Sequence, residues 1–277
     1  MRDAIPFLTP DDMATIEALV YEQSGIRLTA KKSALVNARL HKRVRAQGFS
    51  SFRAYLDHVR CDPRGAESLA MIDALTTNHT SFFREREHFR FLAEHVVPEA
   101  LASGASSIAG WSAGCATGEE PYSIVMTLLD ALRGRGGCAI EIVASDVSAN
   151  ALATAARGVY EIERVGNIPG ASLRRYFERG VGAEEGLARV RAPVRRLVRF
   201  EQANLLEPRR LGTLRRFIYC RNTLMYFDES ARQRAVTCLG GNLAPGGYLF
   251  VSHAENLAGL DHDLVRLAPA IYQRRMA

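Results

Sequence analysis

Through the first hundred residues apolar positions recur every three or four places, which predicts amphipathic helices over residues 10–24, 29–47, 51–60, 65–75 and 85–102. In the second of these, Val36, Leu40 and Val44 form one apolar stripe; Thr29 stands at its start as a cap and Gly48 at its end as a stop. The remaining circumference carries Lys31, Lys32, Arg39, Lys42, Arg43 and Arg45, with no acid among them. Such a helix suits an acidic protein surface or a phosphate backbone, and a solvated charged face accounts for it as well. The helix has no interleaved aromatics to stack single-stranded bases, which argues against one mode of nucleic-acid binding.

From residue 107 the period changes. Short apolar runs at 107–111, 139–144, 198–202, 216–220 and 247–252 alternate with helical patterns at 119–132, 149–157 and 230–243, the order expected of a parallel sheet covered by helices. Residues 134–137 read as a surface turn, and no fixed-period repeat or low-complexity segment interrupts the pattern.

The most informative stretch is 108–123, IAGWSAGCATGEEPYS, where a strand runs through a glycine-containing turn into a helix that begins with Glu119 and Glu120. That order suits a nucleotide-like cofactor lying across the carboxyl end of a parallel sheet. A pyrophosphate would favour bare backbone N–H groups at the helix start, so two acids there point to hydroxyls or to a cationic ligand part, such as the amino-bearing tail and sulfonium of S-adenosylmethionine. Acids also complement helix N-termini in ordinary turns. Asp146 follows the second strand, where a carboxylate can accept from both hydroxyls of a ribose or cap the next helix.

Composition narrows the setting. The 277 residues suffice for one large domain or two smaller ones, and the charge of +6 with a pI near 9.2 favours acidic partners without naming them. Cys61, Cys115, Cys138, Cys220 and Cys238 are scattered, lack metal-ligand spacing and accompany no signal-peptide pattern, as expected of reduced structural cysteines in the cytoplasm. No segment has the apolar length of a transmembrane helix.

Ordered motifs then converge on one family. LTTNHTSFFRE at 75–85, GCATGEEPYS at 114–123, ASD at 144–146, NLL at 204–206, YCRNTLMYFD at 219–228 and LAPGGYLFVSHAEN at 243–256 resemble, over almost the whole chain, the chemotaxis receptor methyltransferases. The resemblance implies an α/β fold with a Rossmann-like, S-adenosylmethionine-dependent methyltransferase sheet, an N-terminal all-helical domain and a small inserted β-subdomain. The corresponding spans are 1–90 for the helical receptor-recognition domain and 91–277 for the cofactor domain, with the insertion at about 175–198. It further implies a cytoplasmic glutamate O-methyltransferase, peripherally associated with receptor arrays, that methylates the cytoplasmic regions of chemoreceptors and releases S-adenosyl-L-homocysteine, with no metal and no nucleic acid.

By the same resemblance Asn78, Thr80 and Arg84 close over the cofactor from the linker. Glu120 meets its amino-acid end, Asp146 its ribose, and Asn204, Leu205, Arg221 and Asn222 the rest of the pocket near the adenosine. Arg84 and Tyr226 are the implied catalytic pair, both as positioning groups and neither as a base. Receptors are expected to engage the basic helix at residues 31–45, with Arg39 and Arg43 central to it, and a receptor tail to add to the edge of a hairpin around Gly180, Gly182 and Gly186. Two other classes remain from the residues alone. One is an RNA or DNA methyltransferase, against which segment 221–227, RNTLMYF, lacks an Asp/Asn-Pro-Pro-aromatic motif; the other is a non-catalytic adaptor that binds S-adenosylmethionine.

Overall fold

A computed structural model describes residues 7–62, 65–76, 78–135 and 137–276 of the chain. Four helices form the N-terminal layer: α1 (Pro10–Ser24), α2 (Ser33–Ala46), α3 (Phe52–Cys61) and α4 (Ala66–Leu75). The start of α1 is written in the sequence: Thr9 accepts the Asp12 N–H while the Asp12 carboxylate accepts the Thr9 N–H, and Pro10 fills a first-turn position that needs no donor. Val36, Leu40 and Val44 do face inward, against Ile16, Tyr55 and Leu56 in the core of this layer, onto which Val147 also packs. Thr29 is not the cap of α2. Residues Ala30–Lys32 form a 3-10 turn with the Lys32 N–H on the Thr29 carbonyl, and α2 begins after Lys32 without a side-chain cap. Gly48 ends it as expected, at φ +80°.

The basic face of α2 is also partly spent. Glu67 of α4 takes Arg43 in a fork, both bonds at 2.6 Å, and Arg39 donates to the carbonyls of Leu75 and Thr76. The neutralising acid was invisible along the helix because it lies on the neighbouring one. Arg39 and Arg43 therefore hold α4 in place, while Lys31, Lys42 and Arg45 stay exposed.

The helix expected over 85–102 has three parts: α5 (Arg86–Phe91), a π-helical turn (Leu92–Val96) and α6 (Val97–Ala102). Pro98 lacks the N–H that a regular ladder would send to residue 94, and the Val97 N–H bonds instead to the Leu92 carbonyl, five residues back.

The main sheet runs in the order β6-β2-β1-β7-β8-β10-β9, with β1 (Ser107–Ala113), β2 (Ala139–Asp146), β6 (Val198–Gln202), β7 (Arg215–Tyr219), β8 (Leu243–Phe250), β9 (Leu264–Ala268) and β10 (Ile271–Arg274). The first five in that order pair in parallel, and β10 is antiparallel to both neighbours. Alternation sends Phe217, Tyr219, Tyr248 and Phe250 to one face and Ile218, Cys220, Leu249 and Val251 to the other. Helix α7 (Glu119–Ala131) covers the first face and α11 (Glu229–Asn242) the second, with α8 (Ala149–Arg157) beside β2 and β6.

A second sheet, ordered β3-β5-β4, joins β3 (Val159–Glu161), β4 (Phe177–Arg179) and β5 (Leu187–Val190), with α9 (Gly170–Tyr176) inside it and α10 (Ala192–Arg195) after it. Its hairpin spans residues 180–186, but its first strand lies upstream of residues 175–198. Of the turn expected at 134–137, Gly134 and Gly137 have positive φ and residue 136 lies outside the described residues. No helix among the described residues is long and apolar enough to cross a membrane.

Candidate functional site

The sheet order reverses between β1 and its two neighbours, β2 and β7, and a cleft opens beyond the carboxyl ends of these three strands. It holds about 1170 Å³ of non-protein space, mouth included. The helical layer roofs it. Tyr21 donates to Asp228 at 2.7 Å, Asn204 to the Gln23 carbonyl at 2.7 Å, and the Arg27 N–H to the Tyr226 carbonyl at 3.1 Å beside a β-bridge from Ile26 to Phe227.

All ten residues that the family resemblance assigns to the site line this one cleft: Asn78, Thr80, Arg84, Glu120, Asp146, Asn204, Leu205, Arg221, Asn222 and Tyr226. Each β-strand delivers its share. After β1 the chain turns sharply at Gly114, whose φ is +82° and where a Cβ would sit 2.4 Å from the Thr223 hydroxyl, so a side chain is excluded on both counts. The turn aims the Ala116 N–H at Asp146, which accepts it at 2.8 Å and the Ser148 N–H at 2.9 Å. Burial raises the Asp146 pKa, and the two backbone N–H bonds oppose that rise. Each carboxylate oxygen retains a further acceptor position for a ligand hydroxyl.

Glu119 and Glu120 part company. Glu119 is fully buried away from the cleft, paired with Arg164 and bonded by the Thr117 hydroxyl, so it ties the small sheet to the loop after β1. Glu120 faces the cleft, with one oxygen on the Ser112 hydroxyl and the other on the Arg221 Nε, both at 2.7 Å. Arg221 is itself buried; burial disfavours its charge, and Glu120 with Tyr219 and Glu85 outweighs that to raise its pKa.

Arg84 is set between two residues in the left-handed region, Phe83 at φ +53° and Glu85 at φ +57°. Phe82, buried edge-on against Tyr160 and Phe177, anchors this linker, and Ser123 accepts the Phe83 N–H at 3.0 Å. The Asn204 amide has one donor and one acceptor committed, to Gln23 and to the Leu206 N–H, which leaves one of each. The sequence reading missed the roof: Ile26, Leu28, Lys32 and Leu35 line the cleft, and the Lys32 ammonium sits 5.7 Å from the centre of the Tyr226 ring. Lys32 was legible only as surface charge because its partner lies 194 residues away.

Behind Arg221, Glu85, His88 and His253 bring ligand atoms within 4.8 Å of one another. The two imidazoles are stacked at 14°, so their in-plane lone pairs do not converge on one ion, and Arg221 lies 3.3 Å from the His88 Nδ1. Burial, then the charges of Arg221 and His253, push the His88 pKa down to about 3. The ring is neutral in the folded protein and protonates on unfolding below its ordinary value of 6.5. Its contribution is therefore complete above pH 6.5 and lost as pH falls through that window. Chemical denaturation of wild type is expected to lose about 3 kcal/mol between pH 7 and pH 4 that His88→Gln does not lose.

Against known proteins, the profile described as "CheR methyltransferase, SAM binding domain" matches residues 78–270, and "CheR methyltransferase, all-alpha domain" matches residues 11–76. The chain belongs to the CheR methyltransferase family. Proteins named chemotaxis protein methyltransferase are similar along nearly their full length. The one from Klebsiella aerogenes is 39% identical over 93% of this chain and 87% of its own, and that from Escherichia coli 38% over 93% and 88%. Chemotaxis protein methyltransferase 2 of Pseudomonas aeruginosa is 38% identical over 95% and 93%. The CheR fold thus accounts for the helical layer, the mixed sheet and the small inserted sheet together.

The cleft fits S-adenosylmethionine. It presents buried acceptors, Glu120 and Asp146, to a ligand bearing an amine and hydroxyls. Apolar Val147 and Leu205 line the same wall.

Proposed function

We propose that the chain transfers the methyl group of S-adenosylmethionine to glutamate side chains in the cytoplasmic regions of chemoreceptors, forming methyl esters for sensory adaptation. The observation that carries this reading is the cleft at the ends of β1, β2 and β7, which gathers Glu120, Asp146, Arg84 and Tyr226 in a chain of the CheR family. When bound, the cofactor supplies a methyl carbon activated by its sulfonium and departs as the neutral thioether S-adenosylhomocysteine. The acceptor carboxylate is a nucleophile at neutral pH, so the site needs no strong base.

The residues of the chain have positioning to do. Asp146 accepts from the ribose hydroxyls, Glu120 from the amino group, and Asn78, Thr80, Asn204, Leu205, Arg221 and Asn222 wall the remainder. Arg84 and Tyr226 orient the incoming carboxylate in line with the bond that breaks. Glutamate and sulfonium lose their charges together as the ester forms, which favours a site that guides the anion without binding it as a tight ion pair.

Receptors dock, on this reading, along the exposed part of the basic face, Lys31, Lys42 and Arg45. The edge of the small sheet takes an extended receptor tail by β-augmentation. The reading places the enzyme in the cytoplasm beside receptor arrays. The test is transfer of labelled methyl to receptor fragments, with RNA and DNA as rival acceptors, followed by base treatment. Release of the label as methanol from the receptor fragment is expected, and label on nucleic acid alone refutes the assignment. In the same assay, charge reversal at Lys31, Lys42 and Arg45 should raise KM for receptor about tenfold at low salt and leave cofactor affinity alone. An unchanged KM makes this face merely solvated.

A further inference from the structure

The loop from Arg221 to Tyr226 carries four cleft residues, Arg221, Asn222, Thr223 and Tyr226, yet it has little regular structure of its own: a 3-10 turn over Leu224–Tyr226 after Asn222, which is held at φ +56°. Two of its backbone N–H groups, those of Asn222 and Met225, go to one side chain. Glu255, only 8% exposed, accepts the Asn222 N–H at 2.9 Å and the Ser252 N–H at 2.9 Å on one oxygen, and the Met225 N–H at 3.1 Å on the other. The two loop bonds bracket Asn222 and Met225, so the carboxylate fixes both ends of the segment that presents Tyr226 to the cleft. The Glu255 N–H returns to the Ser252 carbonyl, which closes the turn after β8 around it. A left-handed non-glycine residue persists only where its surroundings over-determine it, and these bonds supply that constraint.

We propose that Glu255 is a positioning residue for methyl transfer, acting through the 221–226 loop on Tyr226 and Asn222. It rests on the methyl-transfer reading above. A carboxylate accepts three N–H donors without competition, whereas an amide in its place sets an NH₂ against at least one of them.

Glu255→Gln is expected to fold, to bind S-adenosylhomocysteine within about fivefold of wild type, and to lose about 30-fold in single-turnover transfer. Coupling separates positioning from general stability. If Glu255 works through Tyr226, adding Tyr226→Phe to Glu255→Gln costs about twofold or less, whereas the same change in wild type costs its full amount. Should Glu255→Gln fail to fold, Glu255→Asp, shorter by one methylene, takes its place in the same cycle. A folded variant at the wild-type rate, or a cycle whose two losses simply multiply, overturns the proposal. An inactive wild type overturns the methyl-transfer reading and this inference with it, so the two failures are distinguishable.

Discussion

Glu120→Ala is expected to lose about 3 kcal/mol of stability in urea unfolding, at the low end of the range for breaking a buried ion pair. The cost comes from Arg221, which is left buried without its 2.7 Å partner and retains Glu85 at 3.5 Å and the Arg84 carbonyl. Ser112 loses its acceptor as well. Cofactor affinity, read by isothermal titration on the folded fraction, should fall at least about tenfold because a charged acceptor has gone. Glu120→Gln separates the effects: its carbonyl oxygen can still meet Arg221 or Ser112, so it should recover much of the stability and little of the affinity. Equal loss of both in the two variants would show that Glu120 acts on the fold alone.

The elements that sequence periodicity located are those whose burial is dictated by their own residues. The strands β1, β2 and β7 read as apolar runs because both faces of a central parallel strand are covered, and the ends of these strands are where Glu120, Asp146 and Arg221 had been sought. What escaped notice depends on partners distant in the chain. Strand β10 inserts between β8 and β9, and the short run Ile271–Arg274 becomes a strand only because β8 offers it an edge. β3 is three residues long and pairs with β5 across an intervening helix and hairpin. The roles of Arg39, Arg43 and Glu119 were misread for the same reason. A side chain's own helix reveals its facing direction, but not the carbonyls of Leu75 and Thr76, Glu67 or Arg164 that await it.

Backbone strain was equally hidden. Phe83, Glu85, Ala116 and Asn222 all have positive φ without being glycine, and all four lie within the linker and loops that border the cleft. None belongs to the asparagine-glycine type of turn that sequence inspection finds readily, and the N–H groups of Phe83, Ala116 and Asn222 are held by tertiary bonds to Ser123, Asp146 and Glu255. Gly114 is the exception that the motif did expose, and Thr223 explains why no side chain fits there.

Arg84→Ala is expected to slow single-turnover transfer about 100-fold at saturating cofactor and receptor, the scale of misplacing a reacting group by an ångström. Its guanidinium reaches the His79 carbonyl at 3.1 Å and borders the cleft, so the substitution removes both a charge near the acceptor and a tie within the linker. Tyr226→Phe keeps the ring that faces Lys32 and deletes one hydroxyl, for which a loss of about tenfold corresponds to a single hydrogen bond. Both rates should stay level between about pH 6.5 and 8.5, since the acceptor is a carboxylate throughout and no proton leaves it. Circular dichroism and cofactor titration on the same samples separate positioning from unfolding. If both variants transfer at the wild-type rate, neither residue positions the acceptor, and the orienting groups must be sought among Lys32, Asn222 and Thr223 on the same cleft. A rate loss with fold and affinity intact identifies Arg84 and Tyr226 as the groups that align the glutamate.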